Sequence, residues 1–96
     1  SAPADTWLHA HGVPGAHVLI KNGGQPLAEE TLLLAASLAA RYSAARQAGR
    51  VQVDYTPHRH VRHIKGAKPG MVTYSHEQTL TVNVQAGEDE ESADDA

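Results

Sequence analysis

One stretch of this chain, Leu27 to Gly49, repeats its apolar residues at helical spacing; the other apolar segments are short and alternate in strand fashion. A chain with one helix and several strands buries its apolar surface by laying the helix on a sheet. Leu34, Leu38, Tyr42 and Ala45 share a line, extended by Leu27 and Thr31, and this line is expected to face the sheet, with Leu38 inside the interface. Ala35, Ala36, Ala39 and Ala40 leave a smooth surface that lets a backbone approach closely. Pro26 fits the first turn, and Glu29 and Glu30 suit the positive end of the helix dipole. Arg46 and Arg50 suit the opposite end, with Gly49 as a C-cap candidate.

The strands are read from alternation. Trp7 to Ala10 is one, and His17 to Lys21 is a second, with Val18 and Ile20 on one face. Val51, Val53 and Tyr55 alternate against Gln52 and Asp54. His58 to Ile64 is expected to be extended, after a bend that follows Thr56 because Pro57 has no N–H. Met71 to Ser75 and Thr79 to Val84 follow, with Leu80, Val82 and Val84 inward, and His76-Glu77-Gln78 is expected to join these two as an antiparallel hairpin. Pro14-Gly15 and Pro69-Gly70 each fit a type II turn. The expected fold is therefore α+β: a single domain with a mostly antiparallel or mixed β-sheet and one long helix packed on one face.

Composition narrows the classes of function. There is no cysteine among the 96 residues, which removes disulfides and thiolate zinc sites. No apolar run reaches the roughly 20 residues needed to cross a bilayer, so no membrane role is expected. The formal charge of −3 hides a division. Glu88 to Ala96 holds six of the eleven acids and no base, leaving residues 1–87 with eight bases against five acids, a net of +3. The expected organisation is a linker over 1–5, a domain over 6–86 and an acidic disordered tail over 87–96, which either solubilises the chain or screens its basic face.

That basic face is concentrated between Val51 and Tyr74. Arg59, Arg62, Lys65 and Lys68 stand there with His58, His60, His63 and Tyr55, against one acid, Asp54. Ammonium and guanidinium groups contact phosphates, while histidine and tyrosine rings stack on unpaired bases, so the expected ligand is RNA. Strand alternation puts Arg62 on the face of His58 and His60, and Arg59 with His63 on the other. His9 and His17 flank the Pro14-Gly15 turn and are expected to face a cleft beside the basic loop. The histidine spacing matches no zinc signature, and no nucleophile, carboxylate pair or phosphate-cradling loop accompanies the histidines. No metal, cofactor or catalytic activity is expected.

Three segments in series resemble the C-terminal RNA-binding module of the NFACT proteins, also known as fibronectin-binding protein A-like. They are WLHAHGVPGAHV from Trp7, the Ala-rich helix ending in Tyr42-Ser43-Ala44-Ala45-Arg46, and VDYTPHRHVRHIKGAKPGMVTY from Val53. Ala16 departs from the serine usual before His17, and His63-Ile64 departs from the more usual Lys-Pro. The resemblance covers Asp5 to Val84. It implies a cytoplasmic factor of ribosome-associated quality control that contacts tRNA or large-subunit rRNA on stalled large ribosomal subunits, this module being non-catalytic and monomeric in isolation. Full-length members also carry a glycosylase-like domain, helix-hairpin-helix segments and a coiled coil; none has a counterpart here, and the chain reads as an excised module or a short relative. The alternative is a protein-interaction module docking on a ribosomal or other protein partner.

Overall fold

The computed structural model describes residues 2–64 and 72–84. Four strands form an antiparallel sheet in the order β2-β1-β3-β6: β1 (Thr6–Ala10), β2 (Val18–Ile20), β3 (Arg50–Pro57) and β6 (Gln78–Asn83). A second, two-stranded antiparallel sheet pairs β4 (Val61–His63) with β5 (Val72–Tyr74). Helix α1 (Glu29–Arg41) connects β2 to β3 and lies on one face of the larger sheet. The α+β, helix-on-sheet reading holds.

The core forms where alternation sends residues to the helix side. Leu8, Ala10, Val51, Val53, Val82 and Val84 are buried there, with Val18, Ile20, Tyr55 and Leu80 packed around them. The helix meets this surface with its alanines. Ala35, Ala36, Ala39 and Ala40 are buried, whereas Leu34, Leu38 and Tyr42 are 66%, 39% and 62% exposed. The expected inner line is thus the outer one. At about 100° per residue, Leu32 falls within the alanine stripe and Leu34 nearly opposite it. Branched side chains on the strands already fill the interface, so small residues on the helix bring the backbones close without voids.

The helix is also shorter than the sequence suggests. It begins at Glu29 with Ala28 as N-cap, so Pro26 lies before its first turn, although Glu29 and Glu30 do occupy that turn. It ends at Arg41, well before Gly49. Ser43 is the cause: its hydroxyl donates back to the Ala40 carbonyl at 2.7 Å, and its backbone bridges to Gly15. The Ala44 N–H donates to Pro14 and the Ala16 N–H to Tyr42, so the chain after Tyr42 is committed to the 14–16 segment. Gly49 instead closes a short 3-10 turn, Arg46–Ala48, with φ 84°. Pro14-Gly15 is not a type II turn, because the positive φ in that segment belongs to Gly12. Gly15 is needed for space. A Cβ there would lie 2.8 Å from Ser43 Cα, so Gly15→Ala is expected to cost about 1–3 kcal/mol, read as a lower denaturant midpoint at unchanged slope.

Three further expectations change. His58 to His60 form a 3-10 turn, because the His58 and Arg59 amides donate to Asp5 and Pro3; only Val61–His63 is extended. Strand β3 runs straight through Thr56 to Pro57, which pairs with Thr6. And β5 does not pair with β6. It pairs with β4, while β6 pairs with β3 at the sheet edge. His76, at φ 60°, turns the chain between them. The N-terminal segment is joined to this end: the buried Asp5 side chain accepts from the Ala2 and Gly23 amides, which hold its carboxyl below the ordinary 3.8.

Candidate nucleic-acid interface

The face of the sheet turned away from the helix carries Trp7, His9, Gln52, Asp54, Thr56 and Thr79, as the register of β1, β3 and β6 requires. An exposed polar face would be ordinary for an antiparallel sheet. Here Tyr74 of β5 contacts Trp7 and Asp54, and Thr56 Oγ1 donates to the Ser75 carbonyl at 2.8 Å. Asp54 is left 1% exposed.

Three side chains from three segments converge on that carboxylate. Tyr74 donates to Oδ2 at 2.6 Å, Thr79 to Oδ1 at 2.6 Å, and His11 Nδ1 to Oδ2 at 2.7 Å. Burial pushes Asp54 up, but the bonds from Thr79, Tyr74 and His11 outweigh it and hold the carboxyl below 3.8. The same bond to Asp54 raises His11 above its ordinary 6.5, and burial followed by the Asp54 bond raises Tyr74, which keeps its proton. Sequence reading missed this group. Its one signal was an acid in the middle of a valine-rich strand.

Trp7, 3% exposed, organises the neighbouring surface. His9 lies parallel to its ring at 5.6 Å between centroids, His17 at 6.2 Å, and Tyr74 tilts against it at 4.8 Å. His9 and His17 are therefore brought to one place. Both ring nitrogens of His9 face backbone carbonyls, Ala10 at 2.7 Å and Gly15 at 3.1 Å, so its edge serves the turn.

Two arginines stand on the 3-10 turn and the strand that follows it. Arg59, Arg62 and His63 are exposed. Arg62 Nη1 donates to the Arg59 carbonyl at 2.6 Å, which anchors its guanidinium over the turn. His60 stacks on His76 at 4.2 Å, and burial, then the charges of His76, Arg59 and Arg62, keep it below the ordinary 6.5. The predicted division, with Arg62 beside His58 and His60 and Arg59 beside His63, does not hold, because strand alternation begins only at Val61. Tyr55 stands apart from this group: it packs toward the helix face and donates to Gln78 at 2.6 Å. Lys65, Lys68 and the Pro69-Gly70 turn lie outside the described residues. Among the described residues no three His, Asp or Glu side chains converge as a metal site would require, and no helix is long and apolar enough to cross a membrane.

Fold and site together define a small α+β domain in which β4 and β5 lie over the second face of the sheet, with Arg59 and Arg62 exposed beside it. The chain belongs to the NFACT RNA-binding domain family: the family model described as "NFACT protein RNA binding domain" matches residues 1–71. It is 43% identical over 86 residues to the Rqc2 homolog RqcH of Bacillus subtilis (strain 168), covering 90% of this chain and 15% of that protein. It is 41% identical over 78 residues to the Rqc2 homolog RqcH of Streptococcus suis (strain 05ZYH33), covering 81% of this chain and 14% of that protein. A solved structure, the C-terminal part of the fibronectin/fibrinogen-binding protein from Streptococcus suis, superposes with a TM-score of 0.79 at 38% identity, covering 86% of this chain and 33% of that one. The chain thus spans about one seventh of the length of these curated relatives.

Proposed function

We propose that this domain binds RNA through the end of the molecule formed by His58–His60 and the β4–β5 hairpin. In this reading it acts as the non-catalytic RNA-contacting module of a cytoplasmic ribosome quality-control factor, touching tRNA or rRNA on stalled large ribosomal subunits, and it is monomeric when isolated. The observation that carries the reading is the exposure of Arg59 on the 3-10 turn and of Arg62 and His63 on the adjoining β4, while the acid beneath them, Asp54, is buried and occupied by its own donors. Its membership of an RNA-binding domain family and its resemblance to the RqcH proteins support the same reading.

Phosphate contacts make affinity fall linearly with salt on logarithmic axes. Titration with tRNA between 50 and 200 mM salt is expected to give such a fall. Exchanging Lys65 and Lys68 together for Gln is expected to leave the domain folded and to shallow the slope by about 2, one per lost contact. Arg59→Gln and Arg62→Gln are each expected to weaken binding and to shallow the slope by about 1. A folded double variant with unchanged affinity and slope would remove the loop from the interface. The protein-docking reading would then lead, since Leu33, Leu34, Leu38 and Tyr42 form an exposed apolar stripe on α1.

A further inference from the structure

His11 sits just past β1, outside the cation cluster. Its amide donates to the Gln52 carbonyl at 2.9 Å, so its backbone is fixed by the sheet. Its side chain is 54% exposed, yet Nδ1 is spent on the 1% exposed Asp54 carboxylate. The two nitrogens of an imidazole lie on opposite sides of the ring. Burying Nδ1 against Asp54 therefore turns Nε2 outward, beside the hairpin, because Tyr74 meets the same carboxylate oxygen and pairs with Val61 of β4.

We infer that His11 is an RNA-contacting residue, whose outward Nε2–H donates to a phosphodiester oxygen while Asp54 positions the ring. The inference rests on the RNA-binding reading above. It requires the doubly protonated ring. With Nδ1–H donated to Asp54, the neutral form has only a lone pair at Nε2, and two acceptors cannot bond. Asp54 favours the proton, and so does the charge of Glu77, the other acid that His11 feels; Tyr74 keeps its proton and Thr79 is neutral. Glu77 repels a phosphate as well, so the contact depends on Asp54 being enclosed and occupied. The contact is therefore present below the ordinary 6.5 and is lost as pH rises through the raised value of the folded domain.

The test measures tRNA affinity from pH 6 to 9 for the wild type and His11→Gln, with thermal melts alongside. Below the transition His11→Gln is expected to bind about tenfold more weakly, with a salt slope shallower by about 1. The gap between the two should close as pH rises, and this difference isolates His11 from the other histidines. Should the variant melt early, NMR titration of the His11 ring in the wild type decides instead: tRNA must move its midpoint upward. Equal affinity, slope and pH profile in a folded variant, or an unmoved midpoint, would overturn the inference while wild-type binding stands. A wild type that binds no tRNA at any pH would overturn the RNA-binding reading and this inference with it.

Discussion

Asp54→Ala is expected to destabilise the domain by about 1.5–3 kcal/mol, the range for hydrogen bonds to a charged group, since the partners left behind are partly exposed and no buried charge is stranded. The substitution strips the acceptor from Tyr74, Thr79 and His11 at once. It also opens a gap beneath Tyr74, whose ring packs on Trp7. Part of the loss should appear as a changed pH profile. The Asp54 carboxyl is lowered below 3.8 in the folded domain, so its contribution is present above 3.8 and disappears as pH falls through the folded value. His11 is raised, so its share is full below 6.5 and fades as pH rises through the folded value. Wild-type stability minus that of Asp54→Ala should thus be greatest between about 3.8 and 6.5. Denaturant unfolding across this range checks it. A loss under about 1 kcal/mol, with parallel pH profiles, would mean that water replaces the carboxylate without cost.

Leu8→Ala is expected to cost about 2–5 kcal/mol, because a fully buried leucine leaves both its transfer energy and a cavity behind. Leu8 is 0% exposed, with Val18 and Tyr55 as its cross-strand partners. Leu38→Ala, on the outer face of α1 and 39% exposed, is expected to cost less than about 1 kcal/mol. Equilibrium unfolding of both variants decides the helix orientation. Equal losses would place the leucine line, not the alanine stripe, against the sheet.

This contrast shows where the sequence was legible. Alternation identified β1, β2, β3 and β6, and for β6 the inward Leu80, Val82 and Val84, since period two on one apolar face has a single solution. The existence of α1 was legible too, but its orientation was not: the segment holds two stripes, and the more apolar one is the one left outside. Hydrophobicity ranks residues by transfer energy, whereas Ala36 and Ala39 are selected by how near the helix must come to a valine-rich sheet. The helix end depended on Ser43 meeting Gly15, a contact 28 positions apart that no local signal carries. The run of basic residues from Arg59 to Lys68 was readable from the sequence itself. The group around Asp54 was not, because Asp54 alternates with Val53 and Tyr55 as a solvent-facing residue would, until β5 crosses above it.

Amide chemical-shift mapping of the domain with added tRNA shows where RNA sits on it. The largest perturbations are expected on Arg59, Arg62, His63, Lys65 and Lys68, with a smaller group around His11, while Leu34, Leu38 and Tyr42 stay unmoved. Perturbations confined to the α1 stripe, or none at tRNA concentrations that saturate a binding assay, would contradict that placement.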